Sequence, residues 1–301
     1  MIKRRFALRY RAVSLMGRRA VCSPLGAYVR KLKVALFRTV TWVLRTLGYS
    51  LHRSTVPIVS FDVFTSIVRA YELCLNEIDP LIAENPTRAK LLARLLGTPP
   101  AEAYFIIQAL ARSRPIAGDV CEFGVAQGET SALIANEIAQ GNKVLHLFDS
   151  FQGLPKPTDK DRLKDDIFSL GSMDAYAGTM ACPEDMVRAR LAAVDFPPQR
   201  CVIHRGFIEQ VIEDAAHLPR QVSFAYVDFD LYEPIRRTLD VLHDRTPEGA
   251  IVIVDDYDWF STGAKTAVDE FLEEKNSAAR VYECVVPDTR YGYFAVLTKV
   301  A

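Results

Sequence analysis

Carboxylates gather at the ends of apolar runs in this sequence. Glu122 stands in GDVCEFGVAQGET (118–130), ahead of Gly124 and Gly128. Asp149 closes KVLHLFD, Asp228 and Asp230 follow VSFAYV, and Asp255 and Asp256 follow AIVIV. A strand-like run, two glycines and a helix-like run form a turn that lets a ligand approach the backbone and reach free N–H groups of the helix. A dinucleotide fingerprint would read G-x-G-x-x-G. Here the pattern is E-x-G-x-x-x-G. A carboxylate at that tip opposes a pyrophosphate and suits an ammonium group. Asp149 lies 21 residues after Gly128, where an acid typically takes a ribose diol. Ammonium plus ribose, without phosphate, describes S-adenosylmethionine. The glycine turn by itself also fits an ordinary strand–turn–helix. Asp149 is what favours the cofactor.

The other four aspartates imply a cation. Like charges at successive strand ends are costly unless a cation sits among them. Oxygen-only ligands suit Mg²⁺ or a similar hard ion. One or two of these aspartates are equally able to cap the helices that follow.

The runs between these motifs must position them. Strand-like segments are expected at 119–123, 143–148, 200–204, 222–227 and 250–254, with two more at 279–286 and 291–299. Helical periodicity fills 129–139, 184–193, 233–243 and 264–274. This alternation predicts a doubly wound α/β sheet of the Rossmann-like kind, mostly parallel and covered on both faces. The last two strands have no helix between them, which predicts an antiparallel hairpin. Helices are also expected across 61–97 and in AEAYFIIQALARS (101–113), ending before Pro115. The stretch 150–182 is the longest irregular one, and a loop of that length is functional or mobile.

The bulk numbers set the frame. Of 301 residues, 50% are hydrophobic, enough for a large core. Net charge is zero, yet residues 1–61 carry 13 Lys and Arg and none of the 37 acids. Residues 30–47 form a basic amphipathic pattern with Leu32, Leu36, Val40 and Leu47 on one face. Such a helix suits an anionic membrane surface or docks on the body by the same stripe. No run of 18 uncharged apolar residues occurs, so no spanning helix is expected. The arginines of the first residues argue against a secretory signal, and an organellar transit peptide shares their composition. Six cysteines without metal-ligand spacing point to reduced thiols and a cytosolic location, with the inner membrane face as the alternative. Three regions follow: a basic arm (1–55), a helical cap (56–114) and a catalytic domain (115–301).

EFGVAQGET, FDSFQGLP (148–155), the V-D-x-D-L-Y-E run (227–233) and VDDY (254–257), in this order, resemble the macrocin O-methyltransferase family. The resemblance runs from about residue 99 to the end. It implies a metal- and S-adenosylmethionine-dependent sugar O-methyltransferase acting on a natural product, polysaccharide or glycan. Carried over by motif, Glu122, Gly124 and Gly128 would line the methionine end of the cofactor. Val125, Thr130, Ser150 and Phe151 are expected in the same pocket, and Asp149 would hold the ribose hydroxyls. Asp228, Asp255 and Asp256 would bind Mg²⁺. Asp230 would orient a ligand or act as base, with Asp228 the other candidate base. The family pattern does not account for the basic arm.

Several readings stay open at this level. D-F-D resembles the D-x-D of metal-dependent glycosyltransferases, which Glu122 beside the glycines argues against. A non-catalytic membrane-surface scaffold is the other rival. Basic residues confined to the arm argue against nucleic acid. His146 reads as a core residue. His204 stands where it could pack or reach an adenosine. Trp259 and Tyr257 could stack on a sugar or pack. The terminal hairpin offers an interface for a second copy of the chain.

Overall fold

The computed structural model describes residues 79–301. By internal contacts the chain divides into residues 1–60 and 61–301. The basic arm, the amphipathic pattern at 30–47 and the first helices of the cap lie outside the described residues.

Seven strands form one sheet: β1 (Asp119–Phe123), β2 (Leu145–Asp149), β3 (Cys201–Arg205), β4 (Val222–Val227), β5 (Ile251–Val254), β6 (Tyr282–Val285) and β7 (Ala295–Lys299). Their order is β3-β2-β1-β4-β5-β7-β6. The first five are parallel, and β7 runs antiparallel to both β5 and β6. The mostly parallel sheet and its terminal hairpin are as the sequence pattern indicates. The hairpin edge is open, with Val285 60% exposed on β6.

Helices cover both faces. On one face α2 (Pro100–Ser113), α3 (Glu129–Ile138) and α4 (Glu184–Ala192) bury Ile106, Leu110, Ile134 and Leu191 against Val120, Leu147, Phe224, Tyr226 and Ile253. On the other, α5 (Ile208–Val211), α6 (Tyr232–Arg245) and α7 (Gly263–Lys275) bury Ile235, Leu239, Val268 and Phe271 against Cys121, Val227, Val252 and Leu297. A strand sends alternate side chains to opposite faces. The strand β5 is therefore apolar throughout and β4 nearly so, because both faces are covered. The short α1 (Arg88–Leu92) is tied to α3 by a buried pair, with Arg88 Nε donating to Glu137 Oε1 at 2.8 Å. Among the described residues no helix is long and apolar enough to cross a membrane.

Strand order reverses between β1 and β4, and a crevice opens outside their carboxyl ends. The two chains leave the sheet in close contact there. The Asp228 N–H donates to Phe123 O at 2.7 Å, and the Gly124 N–H donates to Phe148 O at 2.9 Å. A Cβ on Gly124 would stand 1.8 Å from the Asp228 carbonyl oxygen, and its φ is +85°. The glycine is thus required by the neighbouring strand. Gly171 has a similar φ of +83° with open space around it. Gly124→Ala is expected to cost about 2–4 kcal/mol, combining left-handed strain with overpacking. Gly171→Ala should cost about 1 kcal/mol. Urea unfolding of both variants reads the difference, and equal losses would contradict the close approach.

Candidate functional site

The site is assembled from four turns that leave the carboxyl ends of β1, β2, β4 and β5. Each contains a non-glycine residue with positive φ: Ala126, Phe151, Asp230, and both Asp256 and Asp258. Such residues persist where the surroundings over-determine them, and they concentrate at functional sites.

Glu122 lies on β1, in register with Leu147 of β2 and Tyr226 of β4. It is 1% exposed. Its Oε2 is buried without a hydrogen-bond partner, and so is the Ser131 hydroxyl of α3. Burial pushes the Glu122 carboxyl up to about 8; the nearby Ser131 hydroxyl, outside hydrogen-bond geometry, pulls against this, and the Asp149 charge adds to it.

Asp149 organises the glycine turn. Its Oδ2 accepts the N–H groups of Val125 at 2.8 Å and Ala126 at 3.0 Å, and its Oδ1 accepts the Phe151 N–H at 2.6 Å. A carboxylate offers about four lone-pair directions, so room for a further donor remains. Gly128 begins α3 with φ +81°, and a Cβ there would meet Val187 of α4 at 3.2 Å. The Thr130 hydroxyl is 2.9 Å from that of Thr98. Ser150 Oγ donates to Gly153 O and accepts the Gln152 N–H. Phe151 packs on the α2–α4 face. Asp149 thus joins the turn after β1 to the turn after β2, while Ser150 and Thr130 are engaged with their own neighbours.

The aspartates divide in a way the sequence did not reveal. Carboxylate oxygens of Asp228, Asp230 and Asp256 all lie within 4.8 Å of one another. Asp255, expected beside Asp228 and Asp256, is turned toward Tyr226 instead of into this group. The pleat explains why. Ile251 and Ile253 face α2–α4, and Asp255 continues that alternation toward Tyr226. Its Oδ2 accepts the Tyr226 hydroxyl and its Oδ1 accepts the Asp256 N–H. Asp256 then turns back through its left-handed φ of +56°.

Burial, more than their mutual charge, raises the proton affinity of the three converging acids. Burial pushes Asp228 well above the usual carboxylate range, and the charges of Asp255 and Asp230 push it further. Asp256 is shifted the same way by burial and by Asp230. Asp230 rises to about 6, mainly by burial.

Two residues absent from the sequence reading belong here. The hydroxyl of the fully buried Tyr226 lies 3.0 Å from Glu102 Oε1 on α2. An acid on the apolar stripe of a helix, in line with Ile106 and Leu110, was the available signal.

The loop 150–182 is stitched down. Leu163 bridges Ser261, the Lys164 N–H donates to Phe260 O at 3.0 Å, and the Thr262 N–H donates to Arg162 O at 3.0 Å. Asp161 accepts the Tyr232 N–H at the start of α6. Trp259 lies parallel to Tyr293 of the β6–β7 turn, with centroids 6.1 Å apart, and Tyr293 is 40% exposed. Tyr257 is committed elsewhere, its hydroxyl donating to Asp269. His146 is buried, as expected. His204 is engaged in packing, its ring stacked on Phe148 at 4.2 Å and its Nε2 3.0 Å from His146 Nδ1.

The family model for macrocin O-methyltransferase (TylF) matches residues 106–285. The chain belongs to this family. The methyltransferase is similar in structure to the O-methyltransferase NovP, at 19% identity and TM-score 0.57, over 80% of this chain and 100% of that one. It is also similar to CalS11, a calicheamicin methyltransferase, at 21% identity and TM-score 0.51, over 82% of this chain and 99% of that one. No curated protein matches its sequence. Family membership makes the chain an O-methyltransferase and sets aside the glycosyltransferase and scaffold readings.

Glu122 gives this methyltransferase a testable pH signature. Its folded-state affinity for protons exceeds the unfolded one, so the folded chain binds more protons between pH 4.5 and about 8. Stability from this group is then full at low pH and falls as pH rises, by up to about 1.4 kcal/mol per pH unit in that window. Glu122→Gln should remove that slope, so the variant gains on the wild type between pH 6 and pH 8 in urea unfolding. A constant difference would contradict the assignment.

Proposed function

We propose that this methyltransferase moves the methyl group of S-adenosylmethionine to a sugar hydroxyl, with a divalent cation held by Asp228, Asp230 and Asp256. The observation that carries the reading is the unpartnered Oε2 of Glu122 beside three converging aspartates at the β1–β4 crevice. An orphaned buried carboxyl fits the cofactor's ammonium. The spare lone pair of Asp149 fits a ribose hydroxyl. Three carboxylates and no nitrogen or sulfur donor fit Mg²⁺ or Mn²⁺.

The cofactor supplies an electrophilic methyl group, and the cation lowers the pKa of a bound hydroxyl and fixes its direction. The chain does the rest. The turn after β1, held by Asp149, orients the donor. Asp228 or Asp230 takes the hydroxyl proton as the oxygen attacks. The stitched loop at 158–165 and the aromatic pair Trp259 and Tyr293 border the acceptor's approach, and Trp259 rather than Tyr257 is the residue free to meet a sugar. Alignment of the hydroxyl with the methyl group is one task of the chain, because good positioning can remove about 7–11 kcal/mol of a barrier.

Titration calorimetry tests this with S-adenosylmethionine and with a nucleotide diphosphate sugar, each with and without Mg²⁺. S-adenosylmethionine should bind in both conditions and lose at least tenfold in affinity in Glu122→Gln, as expected for an unpaired buried ammonium contact. Failure of S-adenosylmethionine to bind would overturn the proposal.

A further inference from the structure

The turn after β1 is gripped from two sides, and a motif marks only the grip of Asp149. We propose that Arg190 of α4 is a positioning residue for this turn, holding its far side through the Gln127 carbonyl and the Glu129 carboxylate. The inference rests on the reading of the turn as the seat of S-adenosylmethionine.

The turn needs holding. Ala126 has a left-handed φ of +45°, between Gly124 at +85° and Gly128 at +81°. That conformation is unfavourable for a residue with a Cβ, and it persists where neighbours impose it. Asp149 imposes it from the sheet side, through the N–H groups of Val125 and Ala126. The Gly128 N–H closes the turn on Val125 O at 2.8 Å. Arg190 takes the next part of the backbone. Its Nη1 donates to Gln127 O, and its Nη2 donates to Glu129 Oε1. One planar guanidinium thus spans the turn and the first residue of α3, and its fork fixes both contacts together.

Helix α4 is seated for this task. Val187 is fully buried, and it occupies the space that a Cβ on Gly128 would need, 3.2 Å away. Val187 and Arg190 stand three residues apart on one face of α4, so that face meets the turn twice. Both grips also belong to the ends of one loop. Loop 150–182 starts after Asp149 and runs into α4. Its ends are joined, because the Leu154 N–H donates to Thr179 O at 3.0 Å and the Gly178 N–H donates to Leu154 O at 2.9 Å. The wall beside the acceptor is therefore tied to the seat of the donor at both ends. The side chain of Arg190 is still 28% exposed, and an ion pair in contact with solvent adds little to stability. Its place on the turn accounts for it better.

The test is titration calorimetry with S-adenosylmethionine and with S-adenosylhomocysteine on the full chain, beside urea unfolding. The wild type should bind both ligands. Arg190→Met should lose about tenfold in affinity for each, the effect of one hydrogen bond to a charged group. Arg188→Met removes the same charge from the same helix, where Arg188 pairs with Glu184, and should bind as wild type. Arg190→Lys keeps the charge but not the fork, and should fall between wild type and Arg190→Met. The urea midpoints of Arg190→Met and Arg188→Met should agree. Affinity of Arg190→Met within about twofold of wild type overturns the inference. An equal loss in Arg188→Met also overturns it, because that marks helix charge rather than the grip. So does a midpoint of Arg190→Met well below that of Arg188→Met, which marks general damage. Should Arg190→Met not fold, Arg190→Lys decides, and wild-type affinity there overturns the inference. A wild type that binds neither ligand overturns the cofactor reading itself, and the inference falls with it.

Discussion

Mutual repulsion of buried carboxylates is the constraint around which this molecule is arranged. Glu122, Asp149, Asp228, Asp230, Asp255 and Asp256 all leave the same edge of one sheet. Glu102 is added from the helix above. Burial first, and neighbouring charge second, raises the proton affinity of Glu122 and Asp228, with Glu122 pushed up to about 8. Each proton kept is a position where a cation is welcome. An ammonium group and a divalent ion, placed at the two ends of this group, would turn repulsion into binding energy. The same charges therefore explain both the cost of the empty site and its choice of ligands.

The scaffold's task is to hold those charges at fixed separations, and it does so with backbone contacts. Asp149 spends three of its lone pairs on amides of two turns. Gly124 lets β1 and β4 leave the sheet within touching distance. Asp230 and Asp256 adopt left-handed φ values that turn their carboxylates back over the crevice. The residues that handle ligands and those that shape the site are thus largely one set, and stability and function are coupled at this edge. Loop 150–182 extends the same logic outward, because its hydrogen bonds to residues 258–262 make it a fixed wall.

Much of this was legible in the sequence. Helix periods are visible, the strands read as apolar runs because both faces of the sheet are covered, and the acids are visible as polar endings of those runs. The hairpin followed from the missing helix between β6 and β7. What could not be read is side-chain direction within turns. Asp255 and Asp256 are adjacent, and only the left-handed step between them sends one toward Tyr226 and the other toward Asp228. For the same reason Asp230 replaces Asp255 in the convergent group. The Asp228 carbonyl that also requires Gly124 is a neighbour far away in sequence, so this second demand on the glycine shows in no local pattern. Glu102 and Tyr226 stand 124 positions apart, and no local pattern joins them. His204 likewise stood at the correct edge, and its stacking on Phe148 depends on strand pairing.

Anomalous diffraction from crystals soaked in Mn²⁺ and S-adenosylhomocysteine tests the central claim most directly. The account predicts one strong peak in contact with carboxylate oxygens of Asp228, Asp230 and Asp256, with the amino group of the ligand facing Glu122. A peak elsewhere, or a ligand with its amino group away from Glu122, would contradict it.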